Sequence, residues 1–224
     1  MIPIFPLGVV LFPGMILPLQ VFEERYRTLV ADLLALPDPD APRFGVVAIR
    51  QGREVGADQV GALYEVGTLA VVSRVAPQPD GRYGLLTVGT ERFRLGELDR
   101  SRPYLQAEIE VFDESAIAQR TDEAADPHVP GVVGAFRAYV ATLGAVRGDE
   151  ISLPDLPTGA TLLSWLVAAS AVVDLPVRQR LLEIEGTAAR LQEEIRLLRD
   201  ETNMLKTMAA APAPHLVRTP QHPN

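Results

Sequence analysis

Three histidines, His128, His215 and His222, are the first residues in this chain that could hold a proton or a metal. None is spaced for metal ligation, and none stands next to a candidate nucleophile in the sequence. Asp122, Glu123 and Asp126 are loop residues whose acidic, proline-ended surroundings read as a solvated linker, with a weak cation site the lesser reading. With no cysteine, thiol nucleophiles, disulfides and Cys-based zinc sites are excluded. The only lysine, Lys206, lies late in a helical pattern, where nothing predicts the desolvation a Ser-Lys dyad needs. Neither Gly-x-x-x-x-Gly-Lys nor Gly-x-Ser-x-Gly occurs, so phosphate-loop and serine-elbow chemistry have no carrier. The chain reads as non-enzymatic, with no metal or cofactor.

Binding chemistry is better represented. Arg92 and Arg94 flank Phe93, with Tyr83 nearby, a weak basic-aromatic cluster of the kind that can meet nucleic acid. The same residues fit surface arginines alternating with a core phenylalanine along a strand. A net charge of −8 argues against partners with phosphate backbones or anionic lipid surfaces.

The elements that must position these residues fall into two groups. A chain of 224 residues can bury a full core, in one large domain or two small ones. Near the start, "PLGVVLFPGMILPLQVFEERYRTLV" is apolar but broken by Pro6, Pro13 and Pro18, and no basic residue precedes Arg25. It therefore lacks the features of a secretory signal or a spanning helix, and a cytoplasmic protein is expected. Short strands are predicted at 2–5 and 16–20, around a turn at Phe12-Pro13-Gly14. A helix follows, with Phe22, Tyr26, Leu29, Val30 and Leu33 at helical spacing. The run 44–49 reads as a buried strand and 50–62 as a surface loop. Asp80-Gly81 signals a hairpin, Gly89-Thr90 a second turn, and 104–112 alternates with Leu105, Ala107, Ile109 and Val111 on one face. About six strands and one short helix favour antiparallel closure into a small barrel over residues 1–113.

After an acidic, proline-containing linker at 114–130, the pattern turns helical over 131–208. Leu162–Val173 is apolar nearly all round. The final helix carries Leu191, Ile195, Leu198, Thr202 and Leu205 at alternating four and three spacing, which fits packing within a bundle or a weak dimer seam. Arg190 with Glu194 and Arg196 with Asp200 are expected as exposed i,i+4 pairs. Residues 209–224 form a Pro-rich tail expected to be disordered.

The order of "PLGVVLFPGMILPLQVFEERYRTLV", "FGVVAI", "VGTLAVVSRV…PDGRYGLLTVGTERFRL", "PYLQAEIEVF" and "LLSWLVAASAVVDLPVRQRLLEIEGTAARLQEEIRLL" resembles the N-terminal substrate-binding domain of Lon proteases. The resemblance covers about residues 2–205 and implies an α+β fold, a PUA-like pseudo-barrel followed by a helical bundle. It looks like a stand-alone form, so ATP hydrolysis and proteolysis do not carry over. What it implies is recognition of unfolded or tagged polypeptides, with an adaptor role in protein quality control beside a Lon-type ATPase-protease as the expectation. An RNA- or small-ligand-binding PUA-like domain is the alternative. By the same resemblance Phe22, Glu24, Arg25 and Tyr26 help to engage substrate. Beside that stand the plainer readings, core packing for Phe22 and Tyr26 and an exposed charged face for Glu24 and Arg25.

Overall fold

A computed structural model of the chain describes residues 1–35, 43–52, 60–114, 116–117 and 125–210. Strands β1 (Ile2–Leu7) and β2 (Ile16–Val21) lead into helix α1 (Glu24–Leu34). Then come β3 (Arg43–Gly52), β4 (Val60–Leu63), β5 (Val66–Pro77), β6 (Tyr83–Asp99) and β7 (Gln106–Val111). A 3-10 turn (Asp126–His128) runs into α2 (Val129–Arg147), followed by α3 (Ala160–Ser170), α4 (Leu175–Glu183) and α5 (Thr187–Ala210). The architecture is α+β, with the strands ahead of the C-terminal helices. Part of the predicted 50–62 loop and all of the predicted tail beyond 210 lie outside the described residues.

Five strands close a ring in the order β1, β7, β6, β5, β3 and back to β1, with β2 added to β6 and β4 to β3. Closure differs from the antiparallel expectation: β1 and β3 pair parallel, from Ile4 opposite Gly45 to Leu7 opposite Ala48. A parallel pair needs a long connection, and β2 with α1 supplies it. Each ring strand gives one residue to a buried cluster, Ile4, Phe93, Ala107, Leu69 and Val47, as the interior of a closed barrel requires.

The turn expected at Gly89-Thr90 is not formed; β6 is unbroken. One edge of β6 pairs with β5, while the other passes from β2 over residues 83–88 to β7 over residues 93–99. Gly89 sits at that change of partner. Its N–H donates to the Met15 carbonyl at 2.9 Å, and a Cβ there would lie 2.5 Å from the Phe12 carbonyl oxygen. Glycine is needed for close approach, not for a bend. Gly67 follows the same logic: its Cβ would meet the Val46 carbonyl oxygen at 2.5 Å and the Phe93 ring at 2.7 Å. Gly67→Ala should therefore lower stability by about 1–3 kcal/mol through overpacking. An unchanged urea midpoint would contradict that.

Around the ring, Tyr26, Leu29, Val30 and Leu33 of α1 bury against Phe5, Phe44 and Leu85. Among the helices, Phe136, Leu163, Val167, Leu191 and Leu198 form a second core. A third joins the two halves, Phe12 and Val66 meeting Trp165, Leu181 and Leu182. The all-round apolar pattern of α3 gives a mostly buried helix, although Leu162 is exposed, and Val111, expected inward on β7, is exposed too.

The spacing on α5 is satisfied within the chain. Leu191, Leu198 and Thr202 are buried, and Ile195 and Leu205 pack against the same core as α2. The seam therefore serves the helical core first, with Ile195 and Leu205 only half-buried. Residues 126–147 are long and apolar enough to cross a membrane by length and composition alone. Val132, Phe136, Tyr139 and Val140 form a buried stripe against the helical core, while 28% of the apolar window is buried.

Candidate functional site

Between β1 and β2, at the entry to α1, lies a groove of ≈ 180 Å³. Phe5, Pro6 and Leu7 form one wall, Pro18 to Val21 the other, and Phe22, Glu23 and Tyr26 complete it. The groove exists because β1 and β2 do not pair with each other: β1 pairs with β3 and β7, β2 with β6 alone.

Pro18 helps keep that edge open. The carbonyls of Met15 and Leu17 accept bonds from β6, so in the alternating ladder residue 18 faces the other way. The missing N–H of proline then falls on the open edge of β2 and costs the ladder nothing. It also interrupts the row of donors that an incoming strand would need. The groove is consequently suited to receiving side chains more than to extending the sheet.

Its floor is aromatic. Phe5 and Tyr26 stack with centroids 4.0 Å apart and planes 13° apart, and Tyr26 is buried. The Arg25 guanidinium lies 4.4 Å from the centre of the Tyr26 ring and is held by the Glu23 carboxylate at 3.1 Å. Arg25 is thus tied down against the floor instead of projecting from an exposed charged face. Glu24 is exposed in the first turn of α1, where an acidic group favours the positive end of the helix dipole, and it does not line the groove. Phe22 precedes the helix and is 53% exposed, so helical spacing misplaces it in the core. Of the four residues singled out in the sequence, Phe22 and Tyr26 line the groove, Arg25 braces it, and Glu24 stands apart. Phe5 and Glu23 were not singled out; strand alternation does not show which apolar residues share a cleft.

The basic-aromatic cluster on β6 comes apart. Phe93 faces the ring interior, which puts Arg92 on the outer face, but the helices cover that face and Arg92 is 0% exposed. Its guanidinium donates to the Glu114 carboxylate at 2.6 and 3.2 Å. It also donates to the carbonyls of Leu182 (2.7 Å), Ile184 (2.8 Å) and Glu185 (3.3 Å) at the end of α4. Cation–π contacts to Phe112 and Trp165 complete its surroundings. Arg92 is an internal clasp between barrel and helices, not a surface arginine.

The Arg190–Glu194 pair, expected on an exposed face, is also internal, each residue being 1% exposed. Ser164 lies between them, accepting from Arg190 Nε at 2.7 Å and donating to Glu194 at 2.8 Å. Arg190 stacks 3.3 Å from the Trp165 ring centre. Burial pushes the Glu194 carboxyl up to about 8, against the opposing pulls of Ser164 and Arg190. Sealed from solvent, the trio links α3 to α5 and meets no substrate. Arg196 stays on the surface, paired with Glu193 and with Asp200 as expected. His128 meets Gln192 at 2.9 Å. Asp122, Glu123, His215 and His222 lie outside the described residues.

Known proteins give the groove a context. The family model described as the ATP-dependent protease La (LON) substrate-binding domain matches residues 1–200. The Lon protease of Anaeromyxobacter dehalogenans is 30% identical over 92% of this chain and 24% of its own length. That of Escherichia coli is 25% identical over 92% of this chain and 25% of its own. The chain thus spans about a quarter of the length of these relatives. Two solved structures share the fold. The Lon N-terminal domain protein from Xanthomonas campestris has a TM-score of 0.57 at 21% identity, covering 87% of this chain and 96% of that one. The N-terminal domain of a Mycobacterium avium complex Lon protease has a TM-score of 0.57 at 17% identity, covering 90% and 97%.

Proposed function

Because this chain belongs to the Lon substrate-binding domain family, we propose that its groove between β1, β2 and α1 receives exposed apolar side chains of partly unfolded polypeptides. The observation that carries this reading is Phe22, 53% exposed at the edge of an aromatic-floored groove. Leaving such a ring in water forgoes about 1.5–3 kcal/mol of burial, which a bound apolar segment returns. Glu23 and Arg25 give the groove a polar rim.

On this reading the protein is a non-catalytic recognition module of the bacterial cytoplasm. It serves protein quality control by presenting clients to a Lon-type ATPase-protease. The internal placement of Arg92 removes the main support for an RNA-binding alternative, and the net charge of −8 disfavours it further.

Fluorescence anisotropy with a reduced, unfolded model protein and its native form tests the proposal. Binding should be confined to the unfolded form, and Phe22→Ser should weaken it by about tenfold, as for an exposed aromatic anchor. Equal binding of both forms, or a Phe22→Ser protein that binds as well as the parent, would refute it.

A further inference from the structure

A second cleft, of ≈ 370 Å³, opens where the barrel meets the helices and shares no residue with the groove. The barrel contributes Arg50, Glu65 and Arg94, and the end of α4 contributes Glu183 and Glu185. Elsewhere the chain pairs such groups, as in Arg82 with Asp80 and Arg102 with Asp32. Among the described residues, Arg50, Arg94, Glu65, Glu183 and Glu185 form no ion pair. Arg94 is nonetheless positioned, its guanidinium 5.6 Å from the centre of the Phe112 ring, which leaves its planar fork of donors available.

A further unmet group adjoins the same wall. Gln179, 1% exposed, donates to the Val66 carbonyl at 3.0 Å and to Glu183 at 2.9 Å, and both of those residues line the cleft. Its own side-chain oxygen is buried with no donor. An unsatisfied buried acceptor is costly, and here it stands beside a cleft whose carboxylates suit a cationic donor.

Charges of both signs, unpaired and facing one cleft, match a ligand that itself carries both. We propose that this cleft binds a peptide segment in which a basic and an acidic side chain lie close together. The basic group meets Glu183 and Glu185, and the acidic group meets Arg94 and Arg50. Since its walls come from both halves of the molecule, occupancy also favours their docked arrangement. This goes beyond the reading of the apolar groove as a site for exposed hydrophobic side chains.

The test uses three blocked pentapeptides: acetyl-Gly-Lys-Gly-Glu-Gly-amide, its two-lysine counterpart and its two-glutamate counterpart. Trp165, the sole tryptophan, stands near the cleft through Arg92 and Phe112 and reports binding by fluorescence. Amide shifts of Val66 and Glu185 locate the peptide. The mixed peptide should bind at least tenfold tighter than either relative, and the exposed-site variants Arg94→Ala and Glu185→Ala should each lose about tenfold. Phe22→Ser should leave this binding unchanged, which separates it from the groove. Equal affinities for the three peptides, unaltered binding by both cleft variants, or loss on Phe22→Ser would each overturn the proposal.

Discussion

Arg92→Met should lower the unfolding free energy by about 3–5 kcal/mol, the range for removing one partner from a buried charged network. The side chain bonds Glu114 and three carbonyls at the end of α4, groups far from β6 in sequence. Those carbonyls are left over where the helix ends, and the guanidinium both bonds them and meets the negative end of the helix dipole. Methionine fills much of the volume but leaves these acceptors without donors in a covered site. Arg92→Lys should recover less than half of the loss, because a point charge cannot serve carboxylate and carbonyls in one plane. Since these bonds join the two halves, the loss should also show in cooperativity. Unfolding followed by Trp165 fluorescence, which reports the joint between barrel and helices, should separate from helix loss followed by circular dichroism. Coincident transitions within about 0.5 kcal/mol of the parent would contradict the clasp, a margin typical of surface substitutions.

Glu194→Gln should stabilise the protein, and more so as pH rises. Burial holds the folded-state carboxyl near 8, well above its ordinary 4.5. Below pH 4.5 the group is protonated in both states and folding carries no ionisation cost. Between 4.5 and about 8 the unfolded chain releases the proton while the folded one keeps it, so stability falls steadily through that window. The folded carboxyl ionises only near pH 8, beyond which the loss is complete, on the order of 5 kcal/mol. Glutamine is neutral throughout and escapes the trend. Urea denaturation at pH 5 and pH 8 should show a difference between parent and variant that widens by a few kcal/mol at the higher pH. Parallel curves, or a variant less stable at pH 8, would mean that Arg190 keeps Glu194 ionised through Ser164.

The division between strands and helices was legible because it rests on local pattern. The alternation in β7, the apolar run of β3 and the helical spacing of α1 and α5 each reflect how one element meets a core. The groove was legible in part: Phe22 and Tyr26 lie on it, but Phe5 joins it across the fold. Gly89 read as a turn because glycine marks bends and close approaches alike. Only the path of β6 between β2 and β7 distinguished them.

From the sequence alone follow the two structural halves, the family resemblance, the net charge of −8 and the lack of cysteine. Tertiary structure decided which charges are inside. Arg92 alternates with Phe93 as a surface residue would, and Arg190 stands four residues from Glu194 as an exposed pair would. Those patterns are the same whether the opposite face meets water or another element. The outer face of β6 is covered by the end of α4, some ninety positions along the chain, and α5 packs against both α2 and α3. A charge is admitted to the interior when distant partners replace its water, and such partners leave no local trace in the order of the residues.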